Sequence, residues 1–221
     1  MLNILPPIYK EVGSMIYKIS GKWNDCNTYL IKGERKNILI DPGLPDDFDA
    51  TLKEIENIVK DIDFIINTHC HYDHSGSDYL YQDYFGAPII IHDSEVNHLK
   101  NASDVTLSSG LFHRDMIPPK EVIPLGEVLE ELKRYSIEII ETPGHTKGSI
   151  SIIYGDSLIT GDTLFAHSVG RWDFPTGSLE DLKGSILKLE GIINKNILNV
   201  LPGHGENGNK HTISYVKKLF S

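Results

Sequence analysis

His69, His71, Asp73 and His74 stand within one short stretch, INTHCHYDHSG, that runs from Ile66 to Gly76. Imidazole nitrogen and carboxylate oxygen are donors that zinc accepts, and a catalytic zinc needs about three protein ligands plus an open position for water. Taken alone, the stretch leaves two readings open: a metal cradle, or a polar turn that is rich in histidine. His69 and His71 are two apart behind DFIINT, which reads as a strand, so both rings are expected on one side. Asp73 and His74 fall at the turn that follows and face a second point in space. One stretch thus offers donors to two metals, yet two such sites need roughly six ligands. The rest of the chain must supply the others.

Four further segments, LIDPG, ETPGHTKGS, LITGDT and LPGHGE, each place Asp or His close behind an apolar run. They contribute Asp41, His145, Asp162 and His204. Side chains at strand ends are held by a rigid scaffold and remain open to ligand. Long intervals of sequence separate these residues, so only folding unites them.

The elements expected to position them are mostly strands. MIYKIS, NTYLIKG, NILIDPG, DFIINTH, PIIIH, SIEIIETPG, SISIIYG, DSLITGD and NILNVLPGH are apolar, rich in β-branched residues, and mostly bounded by Gly, Pro or Asp. Helices are expected in DDFDATLKEIENIVKD, where Leu52, Ile55, Ile58 and Val59 recur at helical spacing. A second helix is expected in SLEDLKGSILKLEGII, where Ser178 is followed three residues later by an acid, a helix-start pattern. Strands dominate the opening and then alternate with helices, which predicts an α/β chain with sheets at the centre and helices outside. No GxGxxG follows the first strand, so a dinucleotide fold is not expected. Without a linker, repeat or low-complexity tract, residues 1–221 are expected to form a single domain.

Composition narrows the function. With 24% charged and 40% hydrophobic residues the chain is an ordinary folded protein. A formal net charge of -10 repels polyphosphate backbones, so no nucleic-acid partner is expected. The opening MLNILPPIYKEVGSMIY lacks the basic start and long apolar core of a secretory signal, and no run reaches the length of a membrane span. A cytoplasmic protein without a membrane partner is the expectation. Cys26 and Cys70 are too few for a disulfide scaffold and read as small buried hydrophobes.

The HxHxDH run from His69 to His74, followed in order by His145, Asp162 and His204, resembles the metallo-β-lactamase-fold hydrolases. The resemblance extends from NTYLIKG and NILIDPG through LPGHGE. It implies an αββα sandwich of two mixed β-sheets flanked by helices, and two divalent metal ions. Zinc is the first expectation, with iron and manganese also suited to His and Asp donors. It further implies that His69, His71 and His145 hold one metal and Asp73, His74 and His204 the other, with Asp162 bridging them beside a hydroxide. Asp41 is implied to support the ligand loops by hydrogen bonding. Two dications set against two aspartates and one hydroxide leave a single positive charge, which favours a developing oxyanion. The implied reaction is hydrolysis without a protein nucleophile: hydroxide attacks, one metal holds the oxyanion, and Asp73 orients the attacking group.

Finer features point within that family. True β-lactamases commonly carry cysteine where Asp162 stands, and flavodiiron proteins carry glutamate where His71 stands. GDTLFAHSVGRWDFPTGS is similar to glyoxalase II (hydroxyacylglutathione hydrolase) and its short relatives. That similarity implies a small ester or thioester substrate such as S-D-lactoylglutathione. It also implies that Arg171 contacts the glutathione carboxylate, a pairing that suits the guanidinium fork. The alternative at Arg171 is a brace to Asp173. The stretch after His204 is too short for the C-terminal helical domain of the longer enzymes, so thioester hydrolysis is expected without a commitment to glutathione. Two rival activities share these residues. A persulfide dioxygenase would use one iron on His69, His145 and Asp162, and a lactonase would use the same HxHxDH set. The LPGHGE ending resembles the short glyoxalase II relatives more than the dioxygenases. His92, His98, His113 and His211 lack a partner pattern and read as surface or core histidines. His167, close behind Asp162, is retained as a pocket-lining candidate.

Overall fold

The computed structural model describes residues 9–11, 14–19 and 25–219. The opening stretch, read above as lacking a secretory signal, lies largely outside them. The chain divides into two compact units, Met1–Val128 and Leu129–Ser221. Each is built on one mixed sheet.

The first unit carries β1 (Tyr9–Glu11), β2 (Ser14–Ile19), β3 (Thr28–Lys32), β4 (Asn37–Ile40), β5 (Phe64–Ile66), β6 (Ile89–Ile91) and β7 (Val122–Pro124), adjacent in that order. The strands from β1 to β4 pair antiparallel and those from β4 to β7 parallel. Parallel neighbours need crossovers. These are α1 (Phe48–Glu56) before β5, α2 (Tyr72–Ser75) and α3 (Asp78–Phe85) before β6, and α4 (Val96–Lys100) before β7. The central strands β4, β5 and β6 are almost wholly buried, which is why they read as continuous apolar runs. Leu39, Ile65, Ile89 and Ile91 pack with Ile55 of α1, Tyr81 of α3, and Val96 and Leu99 of α4. The helix expected in DDFDATLKEIENIVKD is shorter than its pattern. A 3-10 turn at Pro45–Asp47 precedes it and the chain leaves at Asn57, a residue type of low helix propensity. Ile58 and Val59 still pack on the same core.

Helix α5 (Leu125–Lys133) leads into the second unit, which holds β8 (Glu138–Glu141), β9 (Ile150–Tyr154), β10 (Ser157–Gly161), β11 (Asn199–Pro202) and β12 (Gly208–Asn209). Its sheet order is β12-β11-β10-β9-β8. The parallel pair β10 and β11 is joined by α6 (Leu179–Asn196). Ser178 caps this helix, its hydroxyl accepting from the Asp181 N–H at 3.2 Å, as the sequence pattern predicts. Ile186, Leu189 and Ile193 form one helical stripe and pack on Leu158 and Val200 of the sheet, together with Ile213 and Val216 of α7 (Thr212–Val216). Burial of each such side chain stabilises the unit by about 1.5–3 kcal/mol. Among the described residues no helix is long and apolar enough to cross a membrane.

Candidate metal centre

In the first unit β5 stops at Ile66, so His69 and His71 lie in the loop behind the strand and not on it. The loop still brings them together, with His69 Nε2 and His71 Nδ1 3.1 Å apart. Helix α2 starts directly after His71 and turns the chain back, which sets the His74 ring 4.1 Å from that of His69 between centroids. Asp73 Oδ2 lies 3.8 Å from His74 Nε2. Ser75 Oγ ties this turn down by hydrogen bonds to the carbonyls of Cys70 and His71. The three imidazoles are buried, and their donor atoms gather within 4.8 Å in the pairs His69 with His71 and His69 with His74.

Asp41, directly behind β4, organises this cluster by hydrogen bonding, as the family resemblance implies. Its Oδ1 accepts from the Thr68 N–H at 2.7 Å; its Oδ2 accepts from Thr68 Oγ1 at 2.7 Å and sits 3.0 Å from His74 Nδ1. Asp41 is itself fixed, its carbonyl accepting from Thr28 Oγ1 at 2.8 Å. A carboxylate only accepts, so His74 carries its proton on Nδ1 and keeps a lone pair on Nε2. Thr68 Oγ1 spends its own proton on Asp41. It therefore accepts from His69 Nδ1, 3.1 Å away, and His69 Nε2 keeps its lone pair too.

In the second unit three loops contribute one donor each. His145 follows β8, Asp162 follows β10, and His204 follows β11. Asp162 Oδ2 is 3.6 Å from His145 Nε2 and 3.6 Å from His204 Nε2. Nitrogen and oxygen donors that share a tetrahedral cation at the usual bond lengths stand about 3.4 Å apart. His145 Nδ1 lies 2.6 Å from the Arg171 carbonyl oxygen, which can only accept, so Nε2 again faces outward as a donor. Two glycines make this geometry. A Cβ on Gly144 would lie 2.3 Å from the backbone of Leu182, so only glycine lets the loop before His145 approach α6. A Cβ on Gly170 would lie 1.9 Å from the Asp162 carbonyl oxygen. The pairing of β10 with β11 shifts register between Ile159 and Gly161, an irregularity that re-aims the side chain behind it, here Asp162.

Imidazole nitrogens and carboxylate oxygens such as these suit zinc, iron or manganese. The metallo-beta-lactamase superfamily model matches residues 21–204. The chain belongs to the metallo-β-lactamase superfamily. A protein of Methanocaldococcus jannaschii named a probable metallo-hydrolase is 58% identical over 92% of this chain and 98% of its own length. The hydroxyacylglutathione hydrolase GloC of Haemophilus influenzae is 32% identical over 81% of this chain and 85% of its own. Among solved structures, TTHA1623 in a di-iron-bound form superposes with a TM-score of 0.76 and 24% identity, covering 90% of this chain and 96% of that one. The two mixed sheets flanked by helices are those of the metallo-β-lactamase fold, the αββα class expected from the sequence.

Other residues singled out in the sequence fall into place on this superfamily scaffold. The Arg171 fork is engaged with Asp173 at 2.9 and 2.7 Å, and its guanidinium lies 4.1 Å from the Phe174 ring centroid. Hydrogen bonding to Arg171 holds the Asp173 carboxyl below its usual range. His167 lines a cavity of about 290 Å³ with Phe165, Ala166, Ser168, His204 and Glu206, and pairs with Glu206 at 2.9 Å. His92 caps the turn Asp93–Glu95 through its Nδ1, and His98 bonds Ser103. Both cysteines are buried. The sequence pattern did not single out Asp25, whose Oδ1 accepts from the N–H groups of Cys26 and Leu44. Burial pushes its carboxyl up to about 6, against the pull of those bonds. Nor did it single out Thr68 or Gly170. Hydrogen-bond relays and close backbone approaches leave no periodic trace in one sequence.

Proposed function

We propose that the chain is a dinuclear metallo-hydrolase of small esters or thioesters, with S-D-lactoylglutathione as the type of substrate. In this reading His69, His71 and His145 hold one metal, Asp73, His74 and His204 hold the other, and Asp162 bridges. Residues 1–221 then act as one functional domain, in the cytoplasm, without a nucleic-acid or membrane partner. The observation that carries the dinuclear reading is Asp162 Oδ2, one oxygen equally distant from two imidazole nitrogens at 3.6 Å. Zinc is the first expectation, and the same donors accept iron or manganese.

The metals, when bound, supply Lewis acidity and lower the pKa of water toward about 7. The chain's own residues do the rest. Asp41 and the Arg171 carbonyl keep His74 and His145 in the tautomer that presents Nε2. Asp73, an acceptor-only carboxylate beside His74, takes a hydrogen bond from the attacking water and orients it. The cysteines are unsuited to be nucleophiles, because burial pushes both thiols far above their ordinary pKa. The thioester preference is supported by the GDTLF and GR segments and by the relative named hydroxyacylglutathione hydrolase. A substrate carboxylate that reached Arg171 would take the place of Asp173.

Metal content and turnover test this. Purified protein given zinc is expected to hold two metals per chain and to hydrolyse S-D-lactoylglutathione. Asp162→Ala is expected to lose metal and to lower kcat by about 10²–10³, the scale for removing one electrostatic contributor to a transition state. Unchanged turnover in Asp162→Ala removes the bridging role. One iron per chain with oxygen uptake on glutathione persulfide replaces the hydrolase reading by the dioxygenase, and a preference for lactones moves the substrate class alone.

A further inference from the structure

We propose that Glu95 is a positioning residue for the metal centre, holding the His69–Cys70 peptide, which lies between two ligands, through the Cys70 N–H. The ligand loop leaves β5, whose neighbours in the sheet are β4 on one side and β6 on the other. From the β4 side Asp41 holds the Thr68 N–H at 2.7 Å. From the β6 side Glu95 Oε2 accepts from the Cys70 N–H at 2.6 Å. The two held N–H groups bracket His69, and Cys70 lies between His69 and His71. A shift of the His69–Cys70 peptide would displace His69 directly and His71 through Cys70.

Three features make Glu95 a fixed anchor. It is 1% exposed, and a carboxylate is buried only at high cost unless it is hydrogen-bonded. It ends the turn Asp93–Glu95, whose start is capped by His92, and its own N–H bonds the His92 carbonyl at 2.9 Å. Directly behind it Val96 and Leu99 of α4 are locked in the core. The bond to Cys70 is made by the side chain, to a backbone group of a residue that contributes no donor of its own to the metal reading. Glu95 therefore acts through loop geometry, and the inference rests on the reading of His69 and His71 as ligands.

Cobalt(II) as a spectroscopic probe separates the possibilities. Its affinity is measured by chelator competition and its coordination by visible absorption, in wild type, Glu95→Gln, Glu95→Asp and Glu95→Ala. Gln keeps an acceptor oxygen at the same reach without the charge. Asp keeps the charge and withdraws the oxygen by about 1.5 Å. The expected result is a Glu95→Gln protein with the wild-type spectrum and an affinity within about threefold. Asp and Ala should bind cobalt about 10–100-fold more weakly, with shifted bands. Wild-type behaviour of Glu95→Asp overturns the proposal, and so does a Gln variant as weak as Asp, since either result removes hydrogen-bond reach as the cause. Should Glu95→Ala fail to fold, the Gln and Asp pair still decides. A wild-type protein that binds no cobalt brings down the metal reading itself, a different outcome from a wild type that binds beside variants that do not differ from it.

Discussion

The two donor clusters are assembled in opposite ways. The first draws all its donors from one short run, His69 to His74, in the loop behind β5 and the start of α2. Side-chain carboxylates hold it in shape, Asp41 at Thr68 and His74, and Glu95 at Cys70. The second draws His145, Asp162 and His204 from loops behind three strands of one sheet, and backbone holds it in shape. The Arg171 carbonyl orients His145, and the chain at Gly170 rests against the carbonyl of Asp162. Contiguous ligands need external side chains to aim them, because a loop alone does not fix a ring. Dispersed ligands inherit their aim from the sheet. Side-chain exchange should therefore damage the first cluster, and added backbone bulk the second.

The largest effect is expected from Gly170→Ala. The new Cβ would lie 1.9 Å from the Asp162 carbonyl oxygen and 3.1 Å from His145 Nδ1, and neither neighbour is the flexible end of a side chain. The loop must move, and Asp162 and His145 move with it. Metal content should fall below wild type and thioester turnover should drop about 100-fold or more. Overpacking should also cost about 1–3 kcal/mol in the metal-free protein, read by thermal unfolding. Full metal content with wild-type turnover in this variant would break the account of the second cluster.

Next in size is Asp41→Asn. Asn tolerates the left-handed backbone at this position, φ +50°, so the fold should survive. The carboxylate accepts from three donors, Thr68 N–H, Thr68 Oγ1 and His74 Nδ1, whereas the amide offers one oxygen and turns an NH2 toward the remaining donors. Metal affinity should fall about 10–100-fold by chelator competition. The mismatched buried donor should cost about 1–3 kcal/mol of stability. An affinity equal to wild type would mean that the first cluster, like the second, is aimed by backbone alone.

How much of this was readable from residues follows the same division. HxHxDH was visible because its donors are adjacent, and Asp41, His145, Asp162 and His204 because each stands close behind an apolar run. Long strands such as β9 and β10 and the stripe of α6 carry enough residues to show a pattern. β1, β7 and β12 are three residues or fewer and, unlike the equally short β5 and β6, are not wholly apolar runs. The strand expected over DFIINT stops short, at Ile66, because a run of apolar residues does not say where pairing stops. Glu95 was hidden for another reason: its carboxylate reaches a backbone N–H distant in the chain, and no local spacing encodes that.

The smallest effect, and the finest test of the contrast, belongs to Arg171→Ala. Two functions meet at this residue through different atoms. Its carbonyl orients His145, while its guanidinium pairs with Asp173 in an exposed bridge, each side chain more than half accessible. Such a pair is screened by water and contributes little to stability. The substitution leaves the carbonyl in place, so metal content and kcat should match wild type. If the guanidinium meets a substrate carboxylate, KM should rise about tenfold for a thioester that bears a free carboxylate and stay unchanged for its neutral amide. Equal KM values for both substrates would assign the side chain to bracing Asp173. A fall in metal content would show that the side chain, through its grip on Asp173, sets the position of its own carbonyl, and the second cluster would then depend on side-chain bonds as much as the first does.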